Sequence, residues 1–190
     1  GSDSFSFRVH DGTVDSQTAT ISITVNPIND APTGSVTISG TATQGQTLTA
    51  ANTLADADGL GTISYQWQAA GSNISGASSN TYLLTQAEVG LAITVLASYT
   101  DGQGTAESLA SSSTSAVANV NDAPVATVQT VSTDEDVALN ITLTGTDVDA
   151  DSLTYTLATQ PGNGTLSGDA PNLTYSPNGD YNGSDSFSFK

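Results

Sequence analysis

Apolar residues along this chain recur at every second position, in short runs that never widen into a helical stripe. One run takes Phe5, Phe7 and Val9, and the next takes Ala19, Ile21, Ile23 and Val25. The same period returns in Val36 and Ile38, in Ile63, Tyr65 and Trp67, in Ile93, Val95, Ala97 and Tyr99, and in Ile141 and Leu143. Successive side chains of a strand point to opposite faces, so period two marks strands with one buried face. Each run ends in Asp-Gly, Asn-Gly, Asn-Pro or a Gly/Ser cluster, the residues that turn a chain between strands. Only residues 85–90, TQAEVG, read as a turn of helix. The pattern predicts an all-β chain of sandwich type.

Repeats divide it. The heptapeptide GSDSFSF stands at residues 1–7 and again at 183–189, a period of 182 (183 minus 1). The tetrapeptide NDAP stands at 29–32 and at 121–124, and its aspartates are 92 apart (122 minus 30). The remainder of the period is 90 (182 minus 92), so two units of nearly equal length alternate. They share an internal frame. Asp56 and Asp58 follow Asp30 at +26 and +28, while Asp147 and Asp149 follow Asp122 at +25 and +27. Asp101 follows Asp30 at +71, and Asp11 falls at the same offset in the period-182 register. Residues 1–31 therefore read as the closing strands of one repeat and 32–122 as a complete sandwich. Residues 123–190 read as the earlier part of a repeat of the same type as the one ending at 31.

Charge adds a chemistry. Two basic residues stand against nineteen acidic ones, for a formal charge of -17. Such a chain repels nucleic acid and anionic membrane surfaces. No apolar run reaches the ~18 residues of a membrane span, so direct membrane insertion is not expected, and any export signal is expected outside these residues. Sixteen of the acids are Asp and three are Glu, and short carboxylates placed in loops suit cation ligation as well as ordinary turns. With no cysteine, disulfides cannot staple the small domains, and a metal is the available substitute. One histidine, His10, excludes the usual zinc arrangements, and its phase against Phe7 and Val9 turns it to solvent. Hard cations such as Ca2+ take six to eight oxygens, and an Asp-x-Asp loop with an Asn-Asp linker can supply side-chain and main-chain oxygens together.

These residues resemble the cadherin-like and immunoglobulin-like repeats of very large bacterial surface adhesins, including RTX-type adhesins, although the GGxGxD nonapeptides of RTX modules are absent. The resemblance implies tandem Ig-like and cadherin-like β-sandwiches in an extended array, with Trp67 of YQW as the core indole of the middle one. It also implies a calcium ligand set: the linkers Asn29-Asp30 and Asn121-Asp122, the pairs Asp56 with Asp58 and Asp147 with Asp149, and the later Asp101 and Asp11. Glu135 matches the glutamate near the first strand turn, and Glu88 the glutamate of the LDRE-like turn. The middle unit has Thr43 and Gln44 where the last has Asp134 and Glu135, so the junction at Asp122 is one acid poorer.

The expected role is that of a calcium-rigidified extender of a secreted bacterial surface adhesin or extracellular filament, serving reach, cell adhesion and biofilm structure. Ca2+ would turn the repulsion of crowded carboxylates into cross-links between consecutive domains. Its partners would be neighbouring repeats, with head-to-tail self-assembly by strand complementation a further prospect. The competing expectation is a carbohydrate- or protein-binding module of the same kind of protein. Catalysis has little support, because a lone solvent-facing histidine builds no nucleophilic triad and the pair Asp147 and Asp151 sits in a loop matched by the other unit.

Overall fold

The computed structural model describes residues 1–190, and they form two compact units, Gly1–Ala118 and Asn119–Lys190. The division falls just before the second NDAP linker, so that linker belongs with the strands that follow it. The first NDAP linker lies inside the first unit, between a hairpin and a sandwich.

The hairpin is β1 (Ser2–Phe7) paired antiparallel with β2 (Ala19–Thr24), and it forms a sheet of its own. Phe5 lies opposite Ile21, Phe7 opposite Ala19 and Asp3 opposite Ile23. One face therefore carries Phe5, Phe7, Ala19, Ile21 and Ile23 with Asp3 at its end, and the other is Ser and Thr, as the alternation requires. Nothing covers the apolar face: Phe5 is 54% exposed and Ile21 43%.

The sandwich follows. One sheet holds β3 (Val36–Ser39), β4 (Thr47–Asn52) and β7 (Thr81–Leu83) in that order. The other runs β6-β5-β8-β9, from β5 (Ser64–Ala69), β6 (Ser72–Asn73), β8 (Ile93–Thr100) and β9 (Ala106–Ala110). The alternation of β8 puts Ile93, Val95, Ala97 and Tyr99 inside, against Leu48, Leu84 and Trp67. Trp67 is fully buried and its indole N–H donates to the Ser79 carbonyl at 2.8 Å, so the ring keeps its hydrogen bond while filling the centre. A 3-10 turn at Gln86–Glu88 occupies the stretch read as helical. Beyond β9 the chain runs on to form a parallel bridge between Ala118 and Thr43, and it buries Val117 on the way.

The second unit has a smaller core. Its strands are β10 (Val125–Ala126), β11 (Leu139–Thr142), β12 (Gly145–Thr146), β13 (Leu157–Thr159), β14 (Gly164–Asp169), β15 (Asn172–Pro177) and β16 (Ser188–Phe189). They pair as β11-β15-β14, β13-β16 and β10-β12. Ile141, Leu143 and Leu173 are buried, with Tyr155, Leu157, Tyr175, Phe187 and Phe189 packed part-buried around them. The chain is all-β, of the sandwich class that its pattern predicts.

Candidate metal centre

Both Asp-x-Asp loops fold the same way, and the sequence explains why. In an Asp-x-Asp turn the first carboxylate can accept the N–H two residues on. Asp56 Oδ1 accepts from Asp58 N at 2.8 Å, and Asp147 Oδ1 accepts from Asp149 N at 2.8 Å. The second carboxylate then reaches the linker main chain. Asp58 Oδ2 accepts from Asp30 N at 2.6 Å, and Asp149 Oδ2 accepts from Asp122 N at 2.7 Å. Two loops of different sequence, DADG and DVDAD, thus tie themselves to their NDAP linkers by one contact.

Around the first loop the turn 101–104 packs close. Gly102 N donates to the Asp58 and Gly59 carbonyls, and a Cβ on Gly102 would stand 2.4 Å from Asp58 O, so only glycine permits the approach. Asp101 Oδ1 accepts from Gln103 N at 2.8 Å and Thr105 N at 2.7 Å. Asp101 is 6% exposed, and its Oδ2 is buried with no hydrogen-bond partner. The Gln103 amide also donates to Asp58 Oδ1. Tyr99 donates to Asp56 Oδ2 at 2.5 Å, and burial, with Asp56 beside it, holds the phenol well above its usual range.

In the second unit the carboxylates of Asp147, Asp149 and Asp151 converge, one oxygen of each within 4.8 Å of the others. Ala150 takes a positive φ of 60°, folding the DVDAD loop back so that Asp151 N also approaches Asp147 Oδ1. Asp151 is the member that the Asp-x-Asp spacing leaves out, although its third place in the alternation DVDAD was the available signal. The trio suits a hard cation, for which clustered carboxylates are the normal ligands. So does the buried Asp101 oxygen that lacks a donor. In the second linker Asn121 Nδ2 donates to the Asp122 carbonyl at 3.0 Å.

The remaining predicted ligands lie elsewhere. Asp11 caps its own turn, accepting from Thr13 N and Val14 N at 2.8 Å each, and these backbone bonds pull its carboxyl below the ordinary value. It repeats the turn chemistry of Asp101 but is exposed. Asn29 Nδ2 donates to Glu107 Oε1 at 2.9 Å. Glu135 is exposed on the turn before β11 and is not among the converging trio. Glu88 is buried, and its Oε2 accepts from Thr85 N and Thr85 Oγ1 in a capping box on the 3-10 turn, so its carboxylate serves the backbone of its own turn. Burial, with Glu88 next to it, pushes the Tyr82 phenol up to about 12. His10 is exposed, 3.0 Å from Asp15. Sequence reasoning missed Asp185, which accepts from Gly162 N, Asn163 N and Ser186 N and from the Tyr175 hydroxyl.

No helix is long and apolar enough to cross a membrane. No curated protein and no solved structure matches the chain. One family does: residues 121–190 match the bacterial Ig domain. The linker Asn121-Asp122 and the acidic loop bonded to it therefore lie within the stretch that is similar to a bacterial Ig domain.

Proposed function

We propose that this chain is a calcium-stiffened extender of a large bacterial surface protein, an adhesin or an extracellular filament, whose work is mechanical reach, cell adhesion and the building of biofilm. The single observation carrying the reading is the twice-built contact between linker and loop, Asp30 N on Asp58 and Asp122 N on Asp149. A linker fastened to the acidic loop beside it is a linker whose stiffness a cation at that loop would control. Bound Ca2+ would neutralise the crowded carboxylates and take linker carbonyl oxygens into its shell. Asp147, Asp149 and Asp151 would hold it in the second unit, and Asp56, Asp58 and Asp101 in the first. Loss of the ion would leave like charges crowded at each loop. The bacterial Ig domain supports the placement outside the cell, and the lack of cysteine makes a metal the remaining staple for a small domain. Carbohydrate stacking gains no support from Trp67 and Tyr99, which are core residues.

Calcium titration tests this. Isothermal calorimetry should register binding, and Ca2+ should raise the melting temperature and lengthen the particle in small-angle scattering, with EDTA reversing both. Asp149→Asn should remove the second unit's share, and Asp58→Asn the first's. Identical melting and scattering curves in millimolar Ca2+ and in EDTA would sink the reading.

A further inference from the structure

A pull along the chain enters the complete sandwich on one strand and leaves it on another, so its resistance depends on how those two strands meet. The chain enters through Thr33, bridged to Ala55, and runs along β3 to Ala42, Thr43 and Gln44. It leaves beyond β9, where residues 112–114 share a groove with Val36, Thr37 and Ile38 and Ala118 then reaches Thr43. Entry and exit therefore advance in the same direction, and the bridge between Thr43 and Ala118 is parallel.

The last two residues of the exit are gripped on both sides. Ala118 N donates to Ala42 O and Gln44 N to Ala118 O, at 2.9 Å each. On the other flank Gly90 N donates to Val117 O and Val117 N to Leu91 O, again at 2.9 Å. Successive residues of an extended chain turn their N–H and C=O groups to opposite sides, so these two neighbours serve different partners. Val117 is 3% exposed and packs in the same core as Trp67 and Leu84, so its side chain is seated as well. Upstream the exit is looser, with a groove of about 210 Å3 between residues 112–114 and β3.

We propose that residues 117–118 are the load-bearing lock of this sandwich. A pull that enters at Thr33 and leaves at Asn119 drives residues 42–44 and Ala118 past each other along the strand axis. Bonds lying across that axis are strained together, whereas a hairpin pulled at its open end loses them one after another. The lock opens only when its four bonds and the seat of Val117 give way in one step, and that step sets the rate of forced unfolding. With no cysteine in the chain, no disulfide can take the load instead. The source of tension is the extender role proposed above, on which this rests, but no cation takes part.

Single-molecule force-clamp measurements on the whole chain test it, with handles on introduced cysteines. Ala31→Cys with Asn119→Cys loads the lock, whereas Ala31→Cys with Ser112→Cys takes the load off the chain before the lock. With the first pair, Ala118→Pro deletes the N–H given to Ala42 and should speed forced unfolding of the sandwich about fivefold, the worth of one hydrogen bond. Val117→Ala keeps every N–H but shrinks the seated side chain, and it should act in the same direction. It carries the test alone if the proline variant does not fold. With the second pair of handles both effects should be largely lost. An effect equal in both geometries would reduce the lock to ordinary stability, and rates unchanged by both substitutions under the first pair would place the load elsewhere; either result overturns the proposal. All of this is measured in EDTA, so a calcium titration without response would sink the cation reading and leave the lock standing.

Discussion

GSDSFSF is folded twice in this molecule, and the two copies fare differently. At residues 1–7 it is one side of a hairpin, with Phe5 and Phe7 54% and 42% exposed and Asp3 accepting a single bond, from Ser4 N. At residues 183–189 the same side chains rest part-buried on Ile141, Leu143 and Leu173, and the counterpart of Asp3, Asp185, accepts four hydrogen bonds. Local propensity is equal by construction, so the whole difference comes from what stands behind the strand. A strand's alternation specifies which face wants cover, and tertiary context decides whether cover is there.

Hydrogen exchange should report the largest effect. Intrinsic amide rates of the two copies are the same, so any ratio measures structure alone. Ser188, whose N–H donates to Thr159 Oγ1, should be protected by about a thousandfold, the opening of a small folded unit, and its counterpart Ser6 by less than about tenfold, as a lone hairpin allows. Equal protection would mean that the first copy has a partner too, and the contrast would fall. Next in size is the phenylalanine pair. Phe187→Ala should cost the second unit about 2 kcal/mol in urea unfolding, below the full core value because the ring is only part-buried. Phe5→Ala should change stability by no more than about 0.5 kcal/mol, as for a surface site.

Much of this was legible in the residues. Period two marked the strands, and β8 shows why it worked: Ile93, Val95, Ala97 and Tyr99 alternate without a break and every one is buried. Trp67 sits in the core as the YQW context implied, and residues 86–88 make the one helical turn. The matched offsets of the two Asp-x-Asp pairs foretold two loops of one geometry, because a two-residue carboxylate turn is a local event. What was not legible depended on distant segments. Asp185 has no motif around it; its value comes from Gly162, Asn163 and Tyr175, more than nine residues away along the chain. Glu88 carries the reverse lesson. Its T-x-x-E spacing from Thr85 is a local capping signal, and that signal accounts for where Oε2 goes.

The smallest effect separates the two aspartates by pH. Burial of Asp185 raises its pKa, but the N–H donors of Asn163, Gly162 and Ser186 and the Tyr175 hydroxyl outweigh it, so the carboxyl titrates below the ordinary value of 3.8. The same contact, after burial, holds the Tyr175 phenol above its usual range. A carboxyl whose folded pKa is depressed adds stability at every pH above its unfolded value and loses that contribution as pH falls through the folded one. The second unit should therefore weaken on acidification from about pH 4 downward. Asp185→Asn should lower its melting temperature at neutral pH and flatten this acid slope, whereas Asp3→Asn should leave both unchanged. The side chains at positions 3 and 185 carry the same charge in the same heptapeptide, so an acid slope that survives Asp185→Asn would place the titrating group elsewhere and remove the electrostatic half of the contrast between the two copies.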